Sequence, residues 1–407
     1  MTLLKKANRL KNDISDNGGF VLKEITFITN KYPNPFDRNV LVFLQQLIWE
    51  MAEKDIKCSV ICPVPVNINP KYFRIPYKTF EETENGAIIT IYFPKYIGFG
   101  QSKVLGFNPA GITTNSFSRS VRKVISKFDN KPDAVYGHFV TPAGIAAARL
   151  GRDFNVPSFL AYGESTPRMI KHFGYNKAAD ELSSLSGVVA VSKHSKDVLL
   201  SVNAVKEDII GVFPNGYRNE RFFPRNKKES REKFGLPNDK FIACFVGSFD
   251  HRKGIKRFIE AVEDTDDVYA ICAGKGDLKP SSERCLYNKP VNNEDLPFFY
   301  SAADVFVLPT LNEGCCNAII EAMACGLPII SSDLAFNDDI LDETCSIRID
   351  PLSNEEIMGS ILRLYENKDK IYELSKGSVE KAKTLTLNSR ATQILEFIKT
   401  NSFVGIF

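Results

Sequence analysis

Long apolar runs are missing from this 407-residue chain: no stretch approaches the roughly 18 residues that a bilayer-spanning helix needs. The opening MTLLKKANRLKND carries lysines with no apolar segment behind them, which argues against a secretory signal. A cytoplasmic protein is expected, at most peripheral at the inner face of the cell membrane. Strong charge is missing as well. A net charge of +3 leaves no footprint for nucleic acid, although it allows a local basic face. The nine cysteines are odd in number, and Cys58, Cys62, Cys244 and Cys272 sit in apolar runs where they read as small core residues. Cys315 and Cys316 are adjacent, but no second Cys or His cluster completes a zinc site. Reduced, unligated thiols are expected. The chain also lacks internal repeats and low-complexity stretches.

What is present is an alternation of strand-like and helix-like segments. Single cores seldom grow beyond roughly 250 to 300 residues, so the length predicts two domains. After a polar extension over residues 1–23, ITFIT (25–29) reads as a strand. A loop, a helix over 40–53 with Leu44, Leu47, Ile48 and Met51 on one face, and a strand over 58–62 complete a β-loop-α-β unit. Residues 63–112 are rich in Pro, Gly and aromatics and give only short strands. Residues 114–128 predict a helix with Phe117, Val121, Val124, Ile125 and Phe128 on one face and Arg119, Arg122, Lys123 and Lys127 off it. Such a helix either lies on an anionic membrane or covers a sheet with solvated lysines. A strand follows over 133–136, SFLAYGEST (158–166) reads as a strand and loop, GVVAVSKHS (187–195) and IIGVFPNGY (209–217) as the last strands of the first domain, and the turn-rich FPNGYRNERFFPR as a hinge. A second domain opens with FIACFVGSF (241–249), followed by a helix over 255–262, a strand from Val268 and the run ADVFVLP (303–309). The domains predicted are 1–214, joined by a C-terminal helix 386–407, and 215–385.

The stretch NEGCCNAIIEAMACGLP (312–328) carries the most chemistry. It predicts a loop at a strand's carboxyl end, a helix beginning near Ala318, a stop at Gly326 and a strand from Ile329. Open α/β sheets bind ligands at that edge. Glu313 would lie in the loop and Glu321 one turn into the helix. Carboxylates there suit ligand hydroxyls, and the free N–H groups around Cys316, Asn317 and Ala318 suit a phosphate. A nucleotide sugar offers both. The alternative is a pair of solvated glutamates at a helix start.

This string resembles the Glu-x7-Glu signature of family-4 retaining glycosyltransferases of the surface-polysaccharide type. The resemblance, spread over roughly 25–400, implies the GT-B fold: α/β, two doubly wound Rossmann-like domains facing a cleft. It implies that Glu313 touches the donor sugar and Glu321 the ribose. FVGSFDHRKG resembles the family's diphosphate loop, with Lys253 in place but Ser248 where an arginine is usual, so the neighbouring Arg252 is the candidate second cation. GHFVTPAG resembles the family's His segment, with His138 retained beside the donor sugar. SFLAYGEST resembles an acceptor loop, which would place Glu164 and Ser165 on the acceptor. Asn39 stands near a helix start where the family usually has glycine.

Asp264-Thr265-Asp266 has the letters of a metal-binding Asp-x-Asp, but it lies between a helix and the start of a strand, at the wrong edge of a sheet. No metal or other cofactor is therefore expected. Lys253, a second cation and the helix dipole would meet the leaving-group charge. The partners the resemblance implies are a nucleoside-diphosphate sugar and a saccharide acceptor, polyprenyl-linked by the family's habit, with peripheral membrane contact and no nucleic acid. Two other readings are a nucleotide-sugar epimerase on the same fold and a non-catalytic assembly subunit.

Overall fold

The first strand, β1 (Glu24–Ile28), is buried from Ile25 onward, and the chain winds away from it in both directions. In the computed structural model, which describes residues 21–100 and 108–402, β2 (Lys57–Ile61) pairs with β1 in parallel. Most of the expected N-terminal extension and the last residues of the expected 386–407 helix lie outside the described residues. A short parallel pair, β3 (Val64–Pro65) with β6 (Lys95–Tyr96), brackets β4 (Lys78–Glu82) and β5 (Ile88–Tyr92) in sequence. On the other side of β1 come β7 (Ala134–His138), β8 (Ser158–Tyr162), β9 (Gly187–Ala190) and β10 (Ile210–Val212). The sheet order is β10-β9-β8-β7-β1-β2-β5-β4, parallel except for the β4–β5 pair. Its topological switch point therefore lies between β1 and β7.

The helix at Ala110–Ile125 buries Phe117, Val121, Val124 and Ile125 on this sheet and starts ahead of the expected Thr114. The helix after β1 spans Val42–Ala52, later than the expected start at 40, because Leu41 takes a left-handed conformation at φ 47° and acts as its N-cap. Such a φ is uncommon for a residue with a branched side chain. β4 escaped the sequence reading for a physical reason. It is an edge strand whose Phe80 faces outward among Lys78, Thr79, Glu81 and Glu82, so no apolar alternation marks it.

The second sheet contains β11 (Phe241–Val246), β12 (Val268–Ala273), β13 (Cys285–Lys289), β14 (Val305–Leu308), β15 (Ile329–Ser332) and β16 (Ser346–Ile349). All its pairings are parallel, in the order β13-β12-β11-β14-β15-β16, which puts its switch point between β11 and β14. Parallel strands covered on both faces read as unbroken apolar runs, and the central FIACFV and VFVL follow that rule. Helices Ile255–Glu263, Asn317–Ala324, Asn354–Glu366 and Lys368–Lys383 pack around it.

Each sheet with its helices is a Rossmann-like α/β unit. One compact unit extends to Val191, resumes over Ser195–Phe213 and takes up the chain again from Ala391. The other comprises Ser192–His194 and Pro214–Arg390. Among the described residues, no helix is long and apolar enough to cross a membrane.

Candidate active site

In the second unit, the loops that follow β11 and β14 meet at the switch point. The β11 loop is set by Asp250: the Ser248 hydroxyl donates to its Oδ2 at 2.7 Å and the Lys253 backbone N–H to its Oδ1 at 2.7 Å. Burial works against the Asp250 charge, but these two donors and the cations of Arg252 and Lys253 hold its carboxyl below the usual range. Gly254 then opens the helix at φ 79°. A Cβ there would stand 2.4 Å from the carbonyl oxygen of Pro309, so the two loops approach backbone to backbone and only glycine fits.

That approach brings Lys253 and Arg252 onto Glu313. Lys253 Nζ lies 2.7 Å and Arg252 Nη1 2.5 Å from the same oxygen, Oε1, which also accepts from the Thr310 hydroxyl at 2.9 Å. Arg252 donates in addition to the carbonyl of Asn312 at 2.7 Å. Lys253 and Glu313 are largely buried, whereas Arg252 is exposed. Burial pulls the Lys253 ammonium down, and the Cys316 sulfur and Glu313 carboxylate more than offset it, so its pKa stands above the ordinary lysine value. Two cations facing one carboxylate leave a net positive charge beside the helix Asn317–Ala324, whose first N–H groups have no intrahelical partner. Cys316 is the N-cap of this helix, and its Sγ is 3.8 Å from Lys253 Nζ. All nine cysteines are free.

Glu321 lies on the same helix, half-buried, and accepts from the Tyr300 hydroxyl at 2.9 Å. Burial pushes its carboxyl up to about 7, against the pull of Tyr300 and the Arg221 guanidinium. The second unit thus gathers Ser248, Arg252, Lys253, Glu313, Cys316, Asn317, Ala318 and Glu321 around the loops of one switch point. Sequence reasoning missed Asp250, Thr310, Tyr300 and Asn215. The Asn215 side chain donates to Asn317 Oδ1 at 2.8 Å and to the Cys315 carbonyl at 3.1 Å, which fixes the helix start from the segment read as a hinge. Asp264 is the C-cap of helix Ile255–Glu263 and Asp266 precedes β12, so both sit at the amino end of the strands. Among the described residues no group of three or more His, Cys, Asp or Glu is placed to hold a metal ion.

In the first unit, His138 ends β7 at the other switch point and is 9% exposed, between the rings of Phe43 at 5.6 Å and Phe139 at 4.4 Å. Phe139 has φ 68°, a conformation that costs a non-glycine residue of order 1 to 3 kcal/mol. Glu164 and Ser165 lie half-buried in the loop after β8. Burial pushes the Glu164 carboxyl up to about 7 while a backbone hydrogen bond with Val140, two residues beyond His138, pulls it back. The structure thus brings Glu164 and the His138 segment together. Asn39 stays apart, exposed in a turn ahead of Leu41. His172 is half-buried; so is His194, which belongs to the second unit and packs edge-on against Phe336.

The model of the family described as glycosyl transferases group 1 matches residues 226–384. TuaC of Bacillus subtilis, a glycosyltransferase assigned to teichuronic acid biosynthesis, is 28% identical over 360 residues, which cover 84% of this chain and 89% of TuaC. The chain is a glycosyltransferase. The family match also corrects the sequence reading, which pointed to family 4: the model that matches is that of group 1. The Escherichia coli UDP-Gal:α-D-GlcNAc-diphosphoundecaprenol α-1,3-galactosyltransferase is 29% identical over 201 residues, 44% of this chain and 51% of that one. Among solved structures, sucrose-phosphate synthase of Thermosynechococcus elongatus superposes with a TM-score of 0.74 at 18% identity, over 93% of this chain and 98% of that one. Anabaena HepE in complex with UDP and glucose does so with a TM-score of 0.69 at 16% identity, over 93% and 100%. These likenesses give the fold of the glycosyltransferase as GT-B.

Proposed function

We propose that this glycosyltransferase moves a hexose from a UDP-sugar to a saccharide carried on a polyprenyl diphosphate, in the assembly of a cell-surface polysaccharide. The observation that carries the reading is the junction of Lys253 and Arg252 on one oxygen of Glu313, beside the amino end of helix Asn317–Ala324. A departing nucleoside diphosphate gains negative charge in the transition state, and two cations with a helix N-terminus are fixed to receive it. In this reading Glu313 Oε2 accepts from a sugar hydroxyl, Glu321 from the ribose, and the N–H groups from Cys316 to Ala318 hold the distal phosphate. Ser248 acts through Asp250 to set the loop. His138 lies against the transferred sugar, and Glu164, Ser165 and Asn39 serve the acceptor.

The relatives support the substrate classes. One is named for teichuronic acid, one for a UDP-galactose donor and a diphosphoundecaprenol acceptor, and one for O-antigen biosynthesis. HepE binds UDP-glucose. We propose retention of the anomeric configuration, because same-face transfer lets the leaving diphosphate take the acceptor's proton and asks of the second unit only the cations it has. No metal enters this scheme.

The test is incubation with UDP-sugars and a polyprenyl-diphosphate N-acetylhexosamine, with and without excess EDTA, followed by NMR of the product's anomeric proton. A lipid-linked disaccharide of the donor's configuration, formed in EDTA, is expected. An isomerised sugar nucleotide without acceptor would make the chain an epimerase, and a requirement for magnesium or manganese would overturn the metal-free scheme.

A further inference from the structure

β4 closes one end of the first sheet, and among the described residues no strand pairs with its outer edge. The bonds on its inner side fix which backbone groups that edge carries. At the two ends of the hairpin the Phe93 N–H donates to the Tyr77 carbonyl at 2.8 Å and the Thr83 N–H to the Ala87 carbonyl at 2.9 Å. Bonding directions alternate along an antiparallel strand, so Thr79 and Glu81 bond inward to β5 while Lys78, Phe80 and Glu82 turn their N–H and C=O groups outward. The register runs from Lys78 to Glu82 without a shift, and KTFEE contains no proline, so two common devices for blunting a sheet edge are missing.

The charges on this edge are complementary to themselves. Lys78 and Glu82 stand two residues to either side of Phe80. If a second copy lies antiparallel with Phe80 opposite Phe80, each Lys78 faces the other copy's Glu82, and every residue that turns its backbone outward meets another that does the same. The neighbouring registers are worse: one sets Glu82 opposite Pro76, which has no N–H, and the other sets Glu81 opposite Glu81. Phe80 is 62% exposed, as is Ile88, which lies opposite Glu82 on β5. Lys78 Nζ lies 4.9 Å from the centroid of the Phe80 ring and 5.5 Å from that of Tyr92, so cation and ring share one face of the strand. Two phenyl rings meeting across the axis would each lose apolar surface to water exclusion.

We propose that two copies of this chain associate through β4, edge to edge and antiparallel about a two-fold axis at Phe80, so that their first-unit sheets join into one. Such a contact uses the same patch on both copies and closes at two. Five strand residues a side fall well below a standard interface, so a dimer dissociating at about 10 to 100 μM is expected. No residue of the donor site takes part, and the proposal stands apart from the reading of function.

Sedimentation velocity of the full chain, over about 1 to 300 μM, tests it. The native chain should pass from monomer to dimer across that range. Glu82→Lys places two lysine pairs across the axis and Lys78→Glu two glutamate pairs, and each variant alone should dimerise at least about tenfold more weakly. An equimolar mixture of the two variants restores both opposite-charge pairs and should recover the native association. Phe80→Pro removes an outward N–H without touching a bond to β5, which an edge strand tolerates, and should abolish the dimer. Lys78, Phe80 and Glu82 are exposed, and an unchanged Tm in the charge variants checks that they fold. A chain that stays monomeric throughout would overturn the proposal and leave the edge to solvent or to another protein's strand. A dimer that keeps its affinity in both charge variants or persists in Phe80→Pro, or a mixture that fails to associate, would overturn it as well.

Discussion

Lys253 Nζ and Glu313 Oε1 stand 2.7 Å apart across the switch point between β11 and β14, and Arg252 reaches the same oxygen from the solvent side. Truncating one partner of a largely buried pair leaves the other uncompensated, whereas the exposed Arg252 can be removed with less structural cost. Arg252 is thus the better probe of charge stabilisation. Arg252→Ala should lower kcat about 100-fold, the scale seen when one preorganised donor is lost, with a smaller change in donor KM. Steady-state kinetics with a UDP-sugar checks this, and near-normal kcat would assign the charge to another group.

Ser248→Arg supplies the cation usual at that position but removes the hydroxyl that holds Asp250. Placed in the Arg252→Ala background it should restore only part of kcat, and it should lower the Tm of the otherwise unchanged enzyme because a hydrogen bond to a charged carboxylate, worth about 1.5 to 3 kcal/mol, is lost. A gain in Tm would show that Asp250 does not rely on Ser248.

Glu321, pushed up to about 7 by burial, must ionise to accept two ribose hydroxyls well. Affinity for UDP should therefore rise as pH goes from 6 to 8, with proton release visible in calorimetry as a dependence on buffer ionisation enthalpy. Glu321→Gln should weaken UDP binding by about 1.5 to 3 kcal/mol at pH 8 and abolish the pH dependence. A parallel pH dependence in the variant would place the titrating group elsewhere.

Glu164 is raised from 4.5 to about 7 by burial, so between these values the folded state binds more protons than the unfolded one. Stability must then fall as pH rises through that window, by at most about 3 kcal/mol from this one group. Denaturant melts of Glu164→Gln at pH 5 and pH 8 should show a smaller loss than the native chain shows. An identical loss in both would mean that the carboxyl is not desolvated in solution.

Gly254→Ala combines a positive φ with a Cβ only 2.4 Å from the Pro309 carbonyl oxygen. A loss of about 2 to 4 kcal/mol is expected, larger than backbone propensity alone gives, together with a reduced kcat because the Lys253–Glu313 junction opens. Unchanged unfolding and turnover would show that the two loops need not touch.

The donor-side string was legible because its pieces are local. The helix former run after Cys316, the stop at Gly326 (φ 81°) and the strand from Ile329 each follow from neighbouring residues. Lys253 could be placed by its glycine, but its meeting with Glu313 spans 60 residues and no pattern in one sequence encodes it. The same holds for Asn215, which reaches Asn317 from far along the chain, and for Tyr300, whose hydroxyl looked like any core aromatic until its acceptor was seen. β13 and β4 went unread because half-exposed CLYNK and KTFEE do not carry the apolar runs that mark central strands. The delayed start of helix Val42–Ala52 could not be foreseen, since leucine seldom adopts the conformation that Leu41 takes.

The turn after β12 presses on the turn after β11: a Cβ on Gly274 would lie 1.9 Å from the Gly247 carbonyl oxygen, and the Phe249 N–H donates to the Lys275 carbonyl at 2.9 Å. Neither turn can therefore change length by itself. Over evolutionary time an inserted residue in Gly274–Asp277 would have to be matched by one in Gly247–Asp250, so the two turns should vary in concert. Diversification of donor preference on this scaffold would then proceed by paired changes in two turns rather than by steps in one.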